Sequence, residues 1–263
     1  MSSTSAPVGT MSTTMTKAAA PPRTRVLAQA RFEATTLLRN GEQLLVSLVL
    51  PALALVALHY AHQPSLGPGR RIDVVVPGAL ALAVLSTAFT GQAIATGFDR
   101  RYGVLRLLGV TPLGRTGLLL AKAVAVLVVE LLQSVVLGAI GLALGWHPHW
   151  VGVLPALLVG LVGTWAFVAL ALLLAGTIRA EGVLALANLI WILLLGIGGV
   201  LIPRTVLPDG LSAAVRWLPS AALGDGLRTA FTTAHVALVP VLVLVGWGLV
   251  ATVLASRLFR WSD

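Results

Sequence analysis

Six long apolar runs decide what this chain can fold into: Leu44 to His62, Val74 to Phe98, Leu118 to Leu144, Val151 to Ile178, Val183 to Ile202 and Val236 to Ser256. The hydrocarbon core of a bilayer is about 30 Å thick and a helix rises about 1.5 Å per residue, so about 20 apolar residues cross it. Each run meets that length. Only the third holds formal charge, Lys122 near its start and Glu130 near its middle. A water-soluble domain breaks its apolar residues into short periodic stretches and carries about a quarter charged residues. This chain of 263 residues is 57% hydrophobic and 10% charged. The expected fold is therefore an all-α integral membrane protein of about six transmembrane helices, in one domain over residues 23–263.

The loops between the runs orient them, because Lys and Arg accumulate on the cytoplasmic side. With the N-terminus inside, that side receives Lys17, Arg23, Arg25, Arg31, Arg39, Arg100, Arg101, Arg106, Arg115, Lys122, Arg179, Arg257 and Arg260, against Arg70, Arg71, Arg204, Arg216 and Arg228 outside. Both termini are then expected in the cytoplasm. Residues 1–22, rich in Ser, Thr, Ala and Pro, lack the apolar core of a signal peptide and read as a disordered cytoplasmic tail.

Two further segments are neither spans nor plain loops. Between Arg23 and Asn40, the residues Val26, Leu27, Ala30, Ala34, Leu37 and Leu38 share one helical face, which predicts an amphipathic helix lying in the headgroup layer or a helical extension of the first span. From Pro203 to His235 the chain is too polar and proline-broken to cross, yet rich in Leu, Val and Trp. One or two short helices are expected there, with Pro208 and Pro219 near their starts, forming either a re-entrant outer segment or a lid over the bundle.

The chemistry on offer is sparse. There is no cysteine, which removes thiolate metal sites and cysteine nucleophiles. A phosphate-binding loop needs a lysine after glycine. The two lysines follow Thr16 and Ala121, so no such loop exists and any ATP is hydrolysed by another polypeptide. The net charge of +9 sits at the ends of apolar runs rather than in one patch interleaved with aromatics, which argues against nucleic acid as a partner. His147-Pro148-His149 lacks the spacing of a helical metal pair and, flanked by Trp146 and Trp150, reads as part of an aromatic belt. No catalytic, cofactor-binding or metal-binding residue is assigned.

Glu130 stands out, because an acid at mid-membrane costs a few kcal/mol unless protonated, paired or facing water. It is expected to face the bundle interior with Gln133 one turn on, and with Asn188 approaching from the fifth span. The three form either a polar lining of the substrate route or a bond between helices. Gly138, Gly141 and Gly145 predict close helix packing, the last two in G-x-x-x-G relation.

The most informative loop reads D-R-R-Y-G-V-L-R-L-L-G-V-T-P-L-G-R from Asp99 to Arg115. Val104, Leu105, Leu107 and Leu108 give a short helix an apolar face after Gly103 and before the break at Thr111-Pro112, a pattern suited to docking a partner protein. Asp99, Arg100, Gly103, Leu105, Thr111 and Pro112 resemble the segment between the second and third spans of ABC-2 type permeases, although Arg101 stands where that family commonly has a second acid. The stretch Leu218-Pro219-Ser220-Ala221-Ala222-Leu223-Gly224-Asp225-Gly226-Leu227-Arg228 is similar to the outer segment of the same family.

The resemblance covers almost the whole chain. It implies the permease half of an ATP-binding cassette exporter of the bacterial cytoplasmic membrane, paired with a second permease copy or paralogue and docked on separate ATPase subunits that hold ATP and Mg. It implies an ATPase-docking loop at Asp99, Arg100, Arg101, Gly103, Val104, Leu105, Arg106, Leu108, Thr111 and Pro112, and an outer re-entrant segment marked by Pro208, Leu218, Pro219, Gly224 and Asp225. Drugs, lipids and glycolipids all suit such an apolar bundle as substrates. Two readings from other classes stand beside it: a proton-coupled secondary transporter using Glu130, and a membrane-embedded lipid-modifying enzyme.

Overall fold

The computed structural model describes residues 20–109 and 111–260, with the side chains of Val46, Arg115 and Thr116 left aside. The tail expected over residues 1–22 lies outside the described residues as far as residue 19. All regular structure in the described part is helical: α1 (Pro22–Arg39), α2 (Gly41–Tyr60), α3 (Arg71–Arg101), α4 (Val104–Gly109), α5 (Gly114–Ala143), α6 (Val153–Thr177), α7 (Ala180–Ile197), α8 (Asp209–Val215), α9 (Pro219–Thr233) and α10 (Leu238–Leu258). Six of these, α2, α3, α5, α6, α7 and α10, are long and apolar enough to cross a membrane.

The second span, α3, is the centre of the bundle. It is 31 residues long and buried along most of its length, whereas α2 and α7 are largely exposed outside the bundle. It packs against α2, α5, α6, α7 and α9. Burial on every side explains why Ser86, Thr87, Thr90, Gln92 and Thr96 are all inside: α3 has no outer face on which to segregate them. Its middle turn, Leu85–Gly91, is a π-helical widening, and Ser86 returns its hydroxyl to Leu82 O at 2.8 Å.

Close approaches are made at glycines. A Cβ on Gly141 would stand 2.8 Å from Val76 Cγ2, so the packing expected of Gly141 is observed, against α3. Gly145, by contrast, has φ +84 and turns the chain out of α5. A Cβ on Gly248 would meet the Trp165 ring at 2.7 Å, and α10 lies along α6 there.

Helix ends depart from the sequence expectation where backbone chemistry intervenes. The fifth run was expected to reach Ile202, but α7 stops at Ile197. Gly199 takes φ +73, and the carbonyls that follow are claimed by a side chain rather than by the next helical turn. At the N-terminal end, Ala30 and Ala34 of the face expected on α1 are buried against α5, whereas Leu27 of that face points outward.

Candidate functional site

Three polar constellations stand out against the apolar bundle. The first lies where α3 ends, α5 begins and α1 crosses. Lys122 enters from the first turns of α5, its side chain almost fully enclosed, and donates to Asp99 Oδ2 at 2.7 Å and to Glu33 Oε2 at 3.2 Å. One ammonium thus joins three helices. Near the start of α1, Arg25 donates to Pro112 O.

The docking residues inferred from sequence divide around this centre. Asp99 is held by Lys122, and Arg100 is buried, donating to Ile178 O at 2.5 Å just before α7. Arg101 pairs with Glu181 on α7 but stays half exposed. Gly103, at φ +73, breaks α3 from α4, and Leu105 is 2% exposed, the buried pin of that short helix. Thr111 closes it by donating to Leu108 O at 2.6 Å, ahead of Pro112.

The apolar residues expected on α4 divide between interior and surface, with Leu108 half-buried. Val104, Leu107 and Leu108 stand at i, i+3 and i+4 and share a side of the short helix, with Leu105 turned about 100° from Val104. Leu105 goes in. Tyr102 and Leu107 remain 70% and 68% exposed, with Val104 and Arg106 also at the surface. Tyr102 stacks on Phe98 at 6.1 Å between centroids, and Arg101 lies over its ring. Neither Tyr102 nor Leu107 was among the residues singled out for docking; the apolar periodicity included Leu107, but nothing in it marked which leucine faced out.

The second constellation is at mid-span. Glu130 is buried, as expected, and accepts a 2.6 Å hydrogen bond from Thr164 Oγ1 of α6. Gln133 is also buried but serves different partners, bonding Thr87 and donating to Ser47 O at 3.0 Å. Asn188 does not join them. It sits on the outward side of α7, one residue past the buried Ala187, and a step of about 100° carries it away from the interior. Thr164, Thr87 and Ser47 were missed, since hydroxyls within apolar runs give no periodic signal.

The third lies at the far end of α7. Arg228 of α9 donates to Gly199 O at 3.0 Å, to Leu201 O at 3.4 Å and to Val200 O, and meets Asp225 at 3.4 Å. Arg204 binds the other oxygen of Asp225 at 2.6 Å. Pro208 and Leu218 precede α8 and α9, and Pro219 opens α9. Gly224 leaves room for the Arg228 guanidinium, 3.0 Å from where its Cβ would be. Fifteen residues give α9 a length of about 22 Å, too short to cross, and it is wedged between α3, α6 and α10.

The family model for ABC-2 family transporter proteins matches residues 52–257, from the first span to the end of the last. The chain belongs to the ABC-2 family. No curated protein matches it. It is thus an ABC-2 permease, the transport membrane subunit of an ABC transporter, and a multi-pass membrane protein. ABC-2 permeases work in general with ABC ATPase subunits. The α3–α4 corner and the α9 segment both fall inside the matched region, whereas α1 precedes it.

Proposed function

We propose that this ABC-2 permease is the membrane half of an exporter that moves a hydrophobic or amphipathic substrate, such as a drug, lipid or glycolipid, out across the cytoplasmic membrane of a bacterium. A separate ATPase subunit, which holds ATP and Mg, drives it by contact, and this chain supplies no nucleotide site. Two permease copies or paralogues share two ATPases. Both termini and α4 face the cytoplasm.

The observation that carries this reading is the exposure of Tyr102, Val104, Arg106 and Leu107 at the tip of a corner that is otherwise pinned. An apolar and basic tip is poorly suited to water alone and well suited to a partner cleft. Behind it, α4 packs on α3 and α5 with Leu105 buried, and Arg100 and the Asp99–Lys122–Glu33 triad tie the end of α3 to the start of α7, to α5 and to α1. A push on α4 is therefore delivered to spans rather than absorbed by a loop. Alternating access follows if ATPase closure moves α4 and that movement parts the helices towards the outside.

Co-purification tests it. The wild-type chain, co-expressed with the ATPase of its own transport system, is expected to hold it through purification and to support vanadate-sensitive transport. Leu107→Asp is expected to lose the ATPase while the permease stays folded. Retention of a fully coupled complex by Leu107→Asp with Tyr102→Asp would remove α4 as the docking element.

A further inference from the structure

Lys122 and Arg228, both buried, meet opposite charges supplied by the chain itself. Glu130 forms no ion pair among the described residues. Thr164 occupies Oε2, while Oε1 is sealed from solvent with no hydrogen-bond partner among the described residues. α6 carries no charged residue at all, and Lys122, eight residues before Glu130 on α5, is engaged by Asp99 and Glu33. Burial of an uncompensated carboxylate is costly, so Glu130 is neutralised by a proton or paired with a cation brought from outside the chain.

The surroundings select the kind of cation. A hard metal ion needs six or more oxygens, and among the described residues no group of three His, Asp or Glu side chains comes together. A buried aromatic pair lies one turn along α6 from Thr164 instead. Phe167 follows Thr164 by one turn on α6, and its ring lies 6.4 Å from that of Phe89, tilted by 60°. Such faces attract weakly hydrated organic cations. Thr87, bonded to Gln133 one turn along α5, adds hydroxyl and amide groups to the same interior.

We propose that Glu130 is the recognition carboxylate for a lipophilic organic cation, an ammonium or phosphonium held between the carboxylate and the Phe89–Phe167 pair. In the empty site the carboxyl holds a proton. The arriving cation replaces it, leaving a carboxylate paired with the ligand and one proton released to solvent. The Glu130–Thr164 bond joins α5 to α6, so parting those helices opens the way to the acid. This narrows the substrate class of the export reading and rests on it for the transport consequence, although binding needs no ATPase.

The test uses the full chain in neutral-lipid nanodiscs without ATPase, with tetraphenylphosphonium as probe and tetraphenylborate as its anionic match. Saturable phosphonium binding with proton release is expected, weakened about tenfold or more in Glu130→Gln and kept in Glu130→Asp. Dicyclohexylcarbodiimide, which adds to protonated carboxyls in apolar surroundings, supplies a readout on the unaltered chain. Mass spectrometry is expected to find its adduct on Glu130, suppressed by the phosphonium and not by the borate. Equal phosphonium binding by Glu130→Gln overturns the proposal, as does equal protection by the borate or an adduct that forms at the same rate with the probe present. Phosphonium binding through Glu130, with no ATP-driven phosphonium transport once the ATPase is reconstituted beside the chain, supports the site and removes the export reading instead.

Discussion

Lys122 Nζ lies 2.7 Å from Asp99 Oδ2, so the start of the third span and the end of the second share a buried ion pair, which Glu33 of α1 completes at 3.2 Å. Removing the ammonium leaves two carboxylates facing each other without their cation. Lys122→Met is expected to destabilise the chain by about 3–5 kcal/mol, read as a fall in thermal midpoint in detergent. Arg101→Ala, at the exposed pair with Glu181, is expected to cost no more than about 1 kcal/mol. Equal effects would mean that burial of the triad does not govern its strength.

Arg228 does for the end of α7 what a further helical turn would otherwise do. Arg228→Met strands the carbonyls of Gly199, Val200 and Leu201 and leaves Asp225 to Arg204 alone. Amide exchange across residues 198–207 is expected to rise severalfold in that variant, with the α5–α6 interior unchanged. Unaltered exchange would show that α9 is held by its apolar packing instead.

Gly78 tests the same region from α3. A Cβ there would stand 2.8 Å from Val200 O and 3.2 Å from the Arg228 guanidinium. The backbone carbonyl cannot swing away as a side-chain tip would, so Gly78→Ala is expected to cost about 1–3 kcal/mol, measured by thermal unfolding. Gly246→Ala, where nothing lies within 4 Å, is expected to be neutral or mildly stabilising.

How much of this was legible in the sequence depends on the scale of the physics. The six spans were, because membrane thickness converts directly into a length of apolar sequence. The helix break at Gly103 and the inward placement of Glu130 followed from residue type and position. What escaped was set by neighbours distant in sequence. Asp99 and Arg100 read in the sequence as charges of a docking loop, whereas the fold brings Lys122 and the carbonyl of Ile178 against them. Asn188 shares mid-span depth with Glu130 yet points elsewhere, since rotation about α7 is fixed by packing on α3. The end of α7 fell short because Arg228, 29 residues beyond Gly199, captures its carbonyls.

Sidedness and coupling are open to one direct measurement. The chain has no cysteine, so a single introduced thiol reports one position. Leu107→Cys, co-expressed with ATPase subunits in whole cells, is expected to resist a membrane-impermeant maleimide and to crosslink to the ATPase in a nucleotide-dependent way, while Asp209→Cys is labelled from outside and never crosslinks. Labelling of Leu107→Cys from outside, or ATP hydrolysis by the purified chain alone, would contradict a permease driven through α4 by another subunit.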